Sequence, residues 1–153
     1  MRLFIDYPPT RAGKTAWNRR FGLNAYYAGK HFQARKRDAE ELHGLARAAM
    51  KRARIRREMV KGPVEVRFYW DDGLDVDNHA VLGKAFLDAM KGYILPDDNR
   101  RWVKRVTHEF WDGGRILVEL LPWKGDQNEN EKDRDGVPAP AAGEHAGTRG
   151  KRR

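Results

Sequence analysis

Four aspartates, Asp71, Asp72, Asp75 and Asp77, fall between residues 71 and 77, and Asn78 follows the last of them. Carboxylates crowded like this repel one another unless a cation or hydrogen-bond donors hold them. Asp75 and Asp77 lie two residues apart, and in extended backbone such residues point to the same side. Both can then face one cation. A hard cation such as Mg²⁺ takes oxygen ligands and keeps several waters. The chain has no cysteine, which excludes a thiolate zinc site and any disulfide. Asn78 can cap a helix or lend its carbonyl oxygen. The competing account is a helix entrance, where the positive end of the dipole favours Asp. That account suits one or two aspartates, and Asp71 and Asp72 read as turn residues before Gly73. An EF-hand does not fit. Counted from Asp75, its required Gly falls on Ala80 and its closing Glu on Phe86.

A second acidic pair, Asp97 and Asp98, stands in "LPDDNRRW", residues 95–102. It is either an ordinary Pro-Asp-Asp-Asn turn or the source of a third carboxylate. A helix is expected between the clusters, over 78–91. At ~100° per residue, Val81, Lys84 and Asp88 share the side of Asp77. Leu82, Ala85, Phe86 and Ala89 form the adjoining apolar stripe. Lys84 is placed to reach a phosphate near the cation, or to pair with Asp88 at i+4. Histidines 31, 43, 79, 108 and 145 form no HExxH pair, so a zinc protease is not supported. His79 reads as a ligand, a proton shuttle or a partly exposed helix residue. "PPTRAGKT", residues 8–15, imitates the end of a phosphate-binding P-loop. Pro8 occupies the position that needs Gly, and Pro offers no N–H to a phosphate. The following "AWNRRFG" is also a poor helix.

The elements that must position these residues follow from patterning. "RLFID" is a short apolar strand closed by Pro8-Pro9. Residues 7–29 read as a long loop, a length that in a small domain marks function or mobility. Ala39, Leu42, Ala46, Ala49 and Ala53 repeat at helical spacing within a helix expected over 31–57. "PVEVRFYW", 63–70, alternates as a strand should. "WVKRVTHEFW" and "RILVELL" read as two strands of a hairpin joined at Asp112-Gly113-Gly114. The order β-α-β-α-β-β describes an α+β fold, a small mixed sheet with two main helices packed on it.

The 153 residues suit one domain with its own core. Residues 1–121 are expected to form it, and 122–153 a disordered polar tail. Net charge is +9. Residues 122–153 hold seven Lys/Arg and six Asp/Glu, which leaves 24 and 16 in residues 1–121, a net of +8. The basicity therefore belongs to the folded part. From Lys30 to Lys61 there are eleven basic residues against four acidic, either a solvated helix face or a phosphate-binding one. A basic domain points to a polyanion, nucleic acid ahead of membrane. No apolar run approaches the ~20 residues that span a bilayer. The start is too short and too weakly basic for a signal peptide, so a cytoplasmic protein is expected.

Carboxylates that hold Mg²⁺ inside a basic domain suit a metal-dependent nuclease. The arrangement resembles the RusA-type Holliday junction resolvases of phages and prophages. The resemblance rests on "DVDN" (75–78), "KAFLDAM" (84–90) and "LPDDNRRWVKRV" (95–106), and on "LNAYYAGKHF" (23–32) before a basic helix. It covers roughly residues 1–121. It implies a Mg²⁺-dependent homodimer that cuts four-way DNA junctions, with Asp75, Asp77 and Asp98 as metal ligands and Lys84 as a functional lysine. Asp97 competes with Asp98. The family's lysine often sits four residues after the second Asp, whereas Lys84 is seven after Asp77. Lys30, Arg35, Lys36, Arg37, Tyr26 and Tyr27 are the candidate DNA-binding residues, with Phe32 beside them for stacking. Trp70, Trp102, Phe110 and Trp111 are candidates for the dimer interface or for the core. The alternatives are a basic nucleic-acid-binding protein without catalysis and a metal nuclease for another branched substrate.

Overall fold

A computed structural model describes residues 1–55 and 59–125. The order is β1 (Arg2–Asp6), α1 (Arg11–Phe21), α2 (Leu23–Tyr27), α3 (Phe32–Arg52), β2 (Val64–Trp70), a 3-10 turn (Val76–His79), α4 (Ala80–Met90), β3 (Val103–Phe110) and β4 (Arg115–Pro122). The fold is α+β with a four-stranded mixed sheet in the order β1-β4-β2-β3. β4 runs antiparallel to both β1 and β2, while β2 and β3 are parallel and joined through α4.

The alternation read in β2 is the one observed, for Val64, Val66, Phe68 and Trp70 are buried. Leu3 and Ile5 of β1 and Ile116, Val118 and Leu120 of β4 join them. The same core takes Leu42, Ala46, Ala49 and Met50 from α3, and Leu82, Ala85, Phe86 and Ala89 from α4. The apolar stripe expected on α4 is therefore its buried face. The opposite face of the sheet carries ion pairs, Arg2 with Glu119 at 2.5 Å and Arg67 with Glu65 at 3.0 Å.

Two expectations are corrected. Residues 7–29 are not a loop, and "AWNRRFG" is not a poor helix, because α1 and α2 occupy that stretch. Thr10 caps α1 by accepting from the Gly13 N–H at 3.0 Å. Trp17 and Phe21, one helical turn apart, are buried with ring centroids 4.5 Å from each other. Tertiary packing thus stabilises a helix whose local propensity is weak. The hairpin is the second correction. β3 and β4 do not pair, since β2 lies between them. The connection crosses the end of β2, where Trp111 N–H donates to the Trp70 carbonyl at 3.0 Å and Gly114 N–H to Asp71 Oδ2 at 2.5 Å. A strand as apolar as β4 gains more from a central position than from an edge.

Residues Met1–Trp123 form one compact unit. Trp123 belongs to it, its N–H donating to the Pro63 carbonyl at 2.9 Å. The tail expected from 122 lies, from 126 onward, outside the described residues, as do residues 56 and 57 at the end expected for α3.

Candidate functional site

The acidic turn sits where β2 ends and α4 begins. Asp75 and Asp77 are both exposed. The backbone between them is a 3-10 turn, not extended strand, so alternation does not direct their carboxylates to one side. Asp75 takes the cap position, and its carbonyl accepts from Asn78 N–H at 3.0 Å. Asn78 is buried and accepts from the Asn24 N–H at 3.4 Å, which ties the turn to α2.

Beneath this turn lies a polar network that spacing did not reveal. The side chains of Asp72 and His79 are wholly shielded from solvent. His79 Nε2 lies 3.0 and 3.1 Å from the two oxygens of Asp72. Asp72 also accepts from Leu74 N–H at 2.9 Å and from the Tyr7 hydroxyl at 2.9 Å. Asp72 is not a surface turn residue, and His79 is not a partly exposed one. Burial acts to raise the Asp72 carboxyl. The bonds from His79, Leu74 N–H and Tyr7, with the attraction of His79, outweigh it and hold the group below the usual carboxylate range. Burial first, and then Asp72, pushes the Tyr7 hydroxyl well above its usual value. The His79 ring stacks on Trp70 at 4.2 Å, and Trp70 Nε1–H donates to His108 Nδ1 at 3.1 Å. Burial, and next the nearby His79, lowers His108. Its neutral ring is the form that accepts this bond. Trp70 is fully buried, so it belongs to the core and is no interface residue.

Asp97 and Asp98 lie at the far end of α4. Lys91, the C-cap of α4, pairs with Asp97 at 3.2 Å and Asp98 at 3.0 Å. Hydrogen bonds to Asp98 and then Asp97 raise the Lys91 ammonium. The Asp98 N–H, then Lys91, lower the Asp97 carboxyl. The 11 residues of α4 put ~16 Å between this pair and the acidic turn. The sheet gives the same separation, since the turn follows Trp70 while Trp102, just beyond the pair, bonds to Val64 at the start of β2. Among the described residues, no three His, Asp or Glu side chains gather closely enough to hold a metal ion. Within one chain Asp75, Asp77 and Asp98 do not fit a shared cation.

The basic candidates divide. A groove of about 420 Å³ between α3 and α4 is lined by Tyr26, Arg35, Ala39, His43, Ala80, Val81, Lys84, Ala85 and Asp88. It gathers Tyr26 and Arg35 with Lys84. Lys84 is exposed and makes the i,i+4 pair with Asp88 at 3.2 Å. Arg35 donates to the Lys30 carbonyl at 2.7 Å, and its guanidinium lies 5.8 Å from the Tyr26 ring. Lys30 is turned inward, bonding the Arg20 carbonyl at 2.7 Å and pairing with the buried Asp38. Asp38 also accepts from Arg20 at 2.8 Å and from the Tyr26 hydroxyl at 3.4 Å, which locks α1 and α2 onto α3. Lys36 and Arg37 are exposed on α3. Tyr27 and Phe32 are exposed at 79% and 67%. No protein-family model matches the chain, and no curated protein matches it.

Proposed function

We propose that the protein is a Mg²⁺-dependent endonuclease for branched DNA, the four-way junction first, acting as a homodimer. The observation that carries this reading is the groove that brings Tyr26, Arg35 and Lys84 together on the flank of α4, the helix that starts at the acidic turn. Cations there hold phosphates, and Tyr27 at the end of α2 and Phe32 at the start of α3 offer exposed rings to unpaired bases. Asp75, Asp77 and Asp98 remain the proposed ligands. Because they stand at opposite ends of α4, a site using all three needs the Asp97/Asp98 end of a second copy.

One observation favours a second reading. Among the described residues of one chain no three carboxylates gather at a common point, which suits a basic nucleic-acid-binding protein that does not cut. A labelled four-way junction, incubated with the protein with and without Mg²⁺, separates the two. Paired, Mg²⁺-dependent nicks are expected from the wild type. Asp75→Asn and Asp77→Asn are expected to bind the junction at least as tightly, having lost negative charge near the phosphates, and to cut at least a hundredfold more slowly. Binding with no metal-dependent nicks establishes the non-catalytic reading instead. Equal cleavage of flaps or hairpins in the same panel moves the substrate away from junctions.

A further inference from the structure

We propose that a pocket beside the acidic turn takes one unstacked nucleobase of the bound DNA and holds it by the side-chain amides of Asn18, Asn24 and Asn78. The pocket has a volume of about 460 Å³, within the range of small-ligand sites. Its walls come from α1, α2 and the acidic turn. Leu74, which lines it, directly precedes Asp75, and Asn78 directly follows Asp77. It shares no lining residue with the groove between α3 and α4.

The amides are not spent inside the protein. Asn18 Oδ1 is shielded from water and has no donor among the described residues. Such an atom is the exception in a folded protein. The last torsion of Asn is broad and roughly two-fold, so turning this amide offers the pocket either a donor or an acceptor. Asn78 is buried, and its Oδ1 accepts from Asn24 N–H at 3.4 Å. Its NH₂ bonds no described residue. Asn24 and Arg19 are exposed, and among the described residues no hydrogen bond or ion pair engages either side chain.

That chemistry suits a base and not a phosphate. The exposed carboxylates of Asp75 and Asp77 follow Leu74 and precede Asn78, and they repel an anion. Amides are neutral, and the Watson–Crick edge of every base carries both a donor and an acceptor for them to match. Leu74, packed against the core, gives the ring an apolar wall. Arg19 is left for the phosphate that joins the base to its neighbour. Extruding a base from a duplex costs unpairing and unstacking, least where the base is already unpaired. That the base belongs to a branch point rests on the branched-DNA reading above.

Full-length protein is titrated, without Mg²⁺, against four-way junctions that each lack one base beside the branch point. One such loss is expected to weaken wild-type binding about tenfold, and the others less than about twofold. Asn18→Ala combined with Asn24→Ala is expected to bind the intact junction about tenfold more weakly and to stop distinguishing the abasic one. Ala is the better helix former at both positions, so the variant is expected to melt no lower than wild type. Asn24→Ala alone, at an exposed site, is expected to lose part of the distinction. Equal binding of every abasic junction by the wild type, or the same abasic penalty in the double variant, overturns the pocket. Cutting is scored separately with Mg²⁺. Base-dependent binding without nicks keeps the pocket and removes the nuclease reading. Nicks without base-dependent binding do the reverse. A protein that binds no junction overturns both.

Discussion

Asp72 is held within the acidic stretch by hydrogen-bond donors, which favour its carboxylate form. It accepts from Leu74 N–H, the Tyr7 hydroxyl and His79, all away from water. Asp72→Ala leaves these donors buried without an acceptor and is expected to cost about 3 kcal/mol or more in urea unfolding at neutral pH. The pH dependence follows from the lowered folded value. The unfolded chain takes up this proton near pH ~3.9, and the folded one only at lower pH. The contribution is complete above that range and is lost as pH falls through the folded value. Stability of the wild type measured from pH 5 to pH 2 should therefore fall more steeply than that of Asp72→Ala, and parallel slopes would show that Asp72 titrates normally. The sequence showed four aspartates and a Gly, which reads as a turn. Of the groups that hold Asp72, His79 and Leu74 are local, but Tyr7 comes from 65 residues away, just past β1. No local spacing carries that.

At the level of elements, α4 was legible because its apolar stripe is regular, and Leu82, Ala85, Phe86 and Ala89 are all buried. How closely it sits on the sheet was not. A Cβ at Gly83 would stand 2.6 Å from His108 Cε1 and 3.6 Å from Phe68 Cε2. The His108 ring cannot swing away, being stacked on Phe68 at 5.3 Å and bonded to Trp70. On an exposed helix Gly→Ala gains ~1 kcal/mol. Here overpacking reverses the sign, and Gly83→Ala is expected to lose ~1–3 kcal/mol. An unchanged or raised denaturation midpoint would show that the helix lifts off the sheet freely. The hairpin misreading has a related cause. Asp112-Gly113-Gly114 permits a sharp reversal, but turn chemistry does not choose the partner strand. Burial of Ile116, Val118 and Leu120 beside β1 and β2 does.

For the whole molecule, the separation of the two acidic ends matters more than the presence of either. One copy offers exposed Asp75 and Asp77 at one end of α4, and Asp97 and Asp98 sharing the single cation Lys91 at the other. The sequence showed the helix between them, but not whether the loop after it returns to the first cluster; Lys91 holds Asp97 and Asp98 at the far end instead. Charge distribution, in contrast, was legible throughout, since solvated side chains keep their sign wherever the fold takes them. The net of +8 over residues 1–121 predicts DNA binding governed by counterion release, with log K falling linearly against log salt. The members of the basic set differ in what they can give. Lys30 is committed to Asp38 and the Arg20 carbonyl, whereas Lys36 and Arg37 stand exposed on α3. Replacing Lys36 and Arg37 together by Ala should reduce the magnitude of the salt slope by about 2 per chain bound and weaken all junction sequences alike. Lys30→Ala should instead lower thermal stability, because it leaves Asp38 with one cation fewer. Binding isotherms at four salt concentrations, set beside melting curves, measure both effects. A slope unchanged in the double variant would place the DNA on another face, and a slope change with normal melting for Lys30→Ala would make Lys30 a phosphate contact after all.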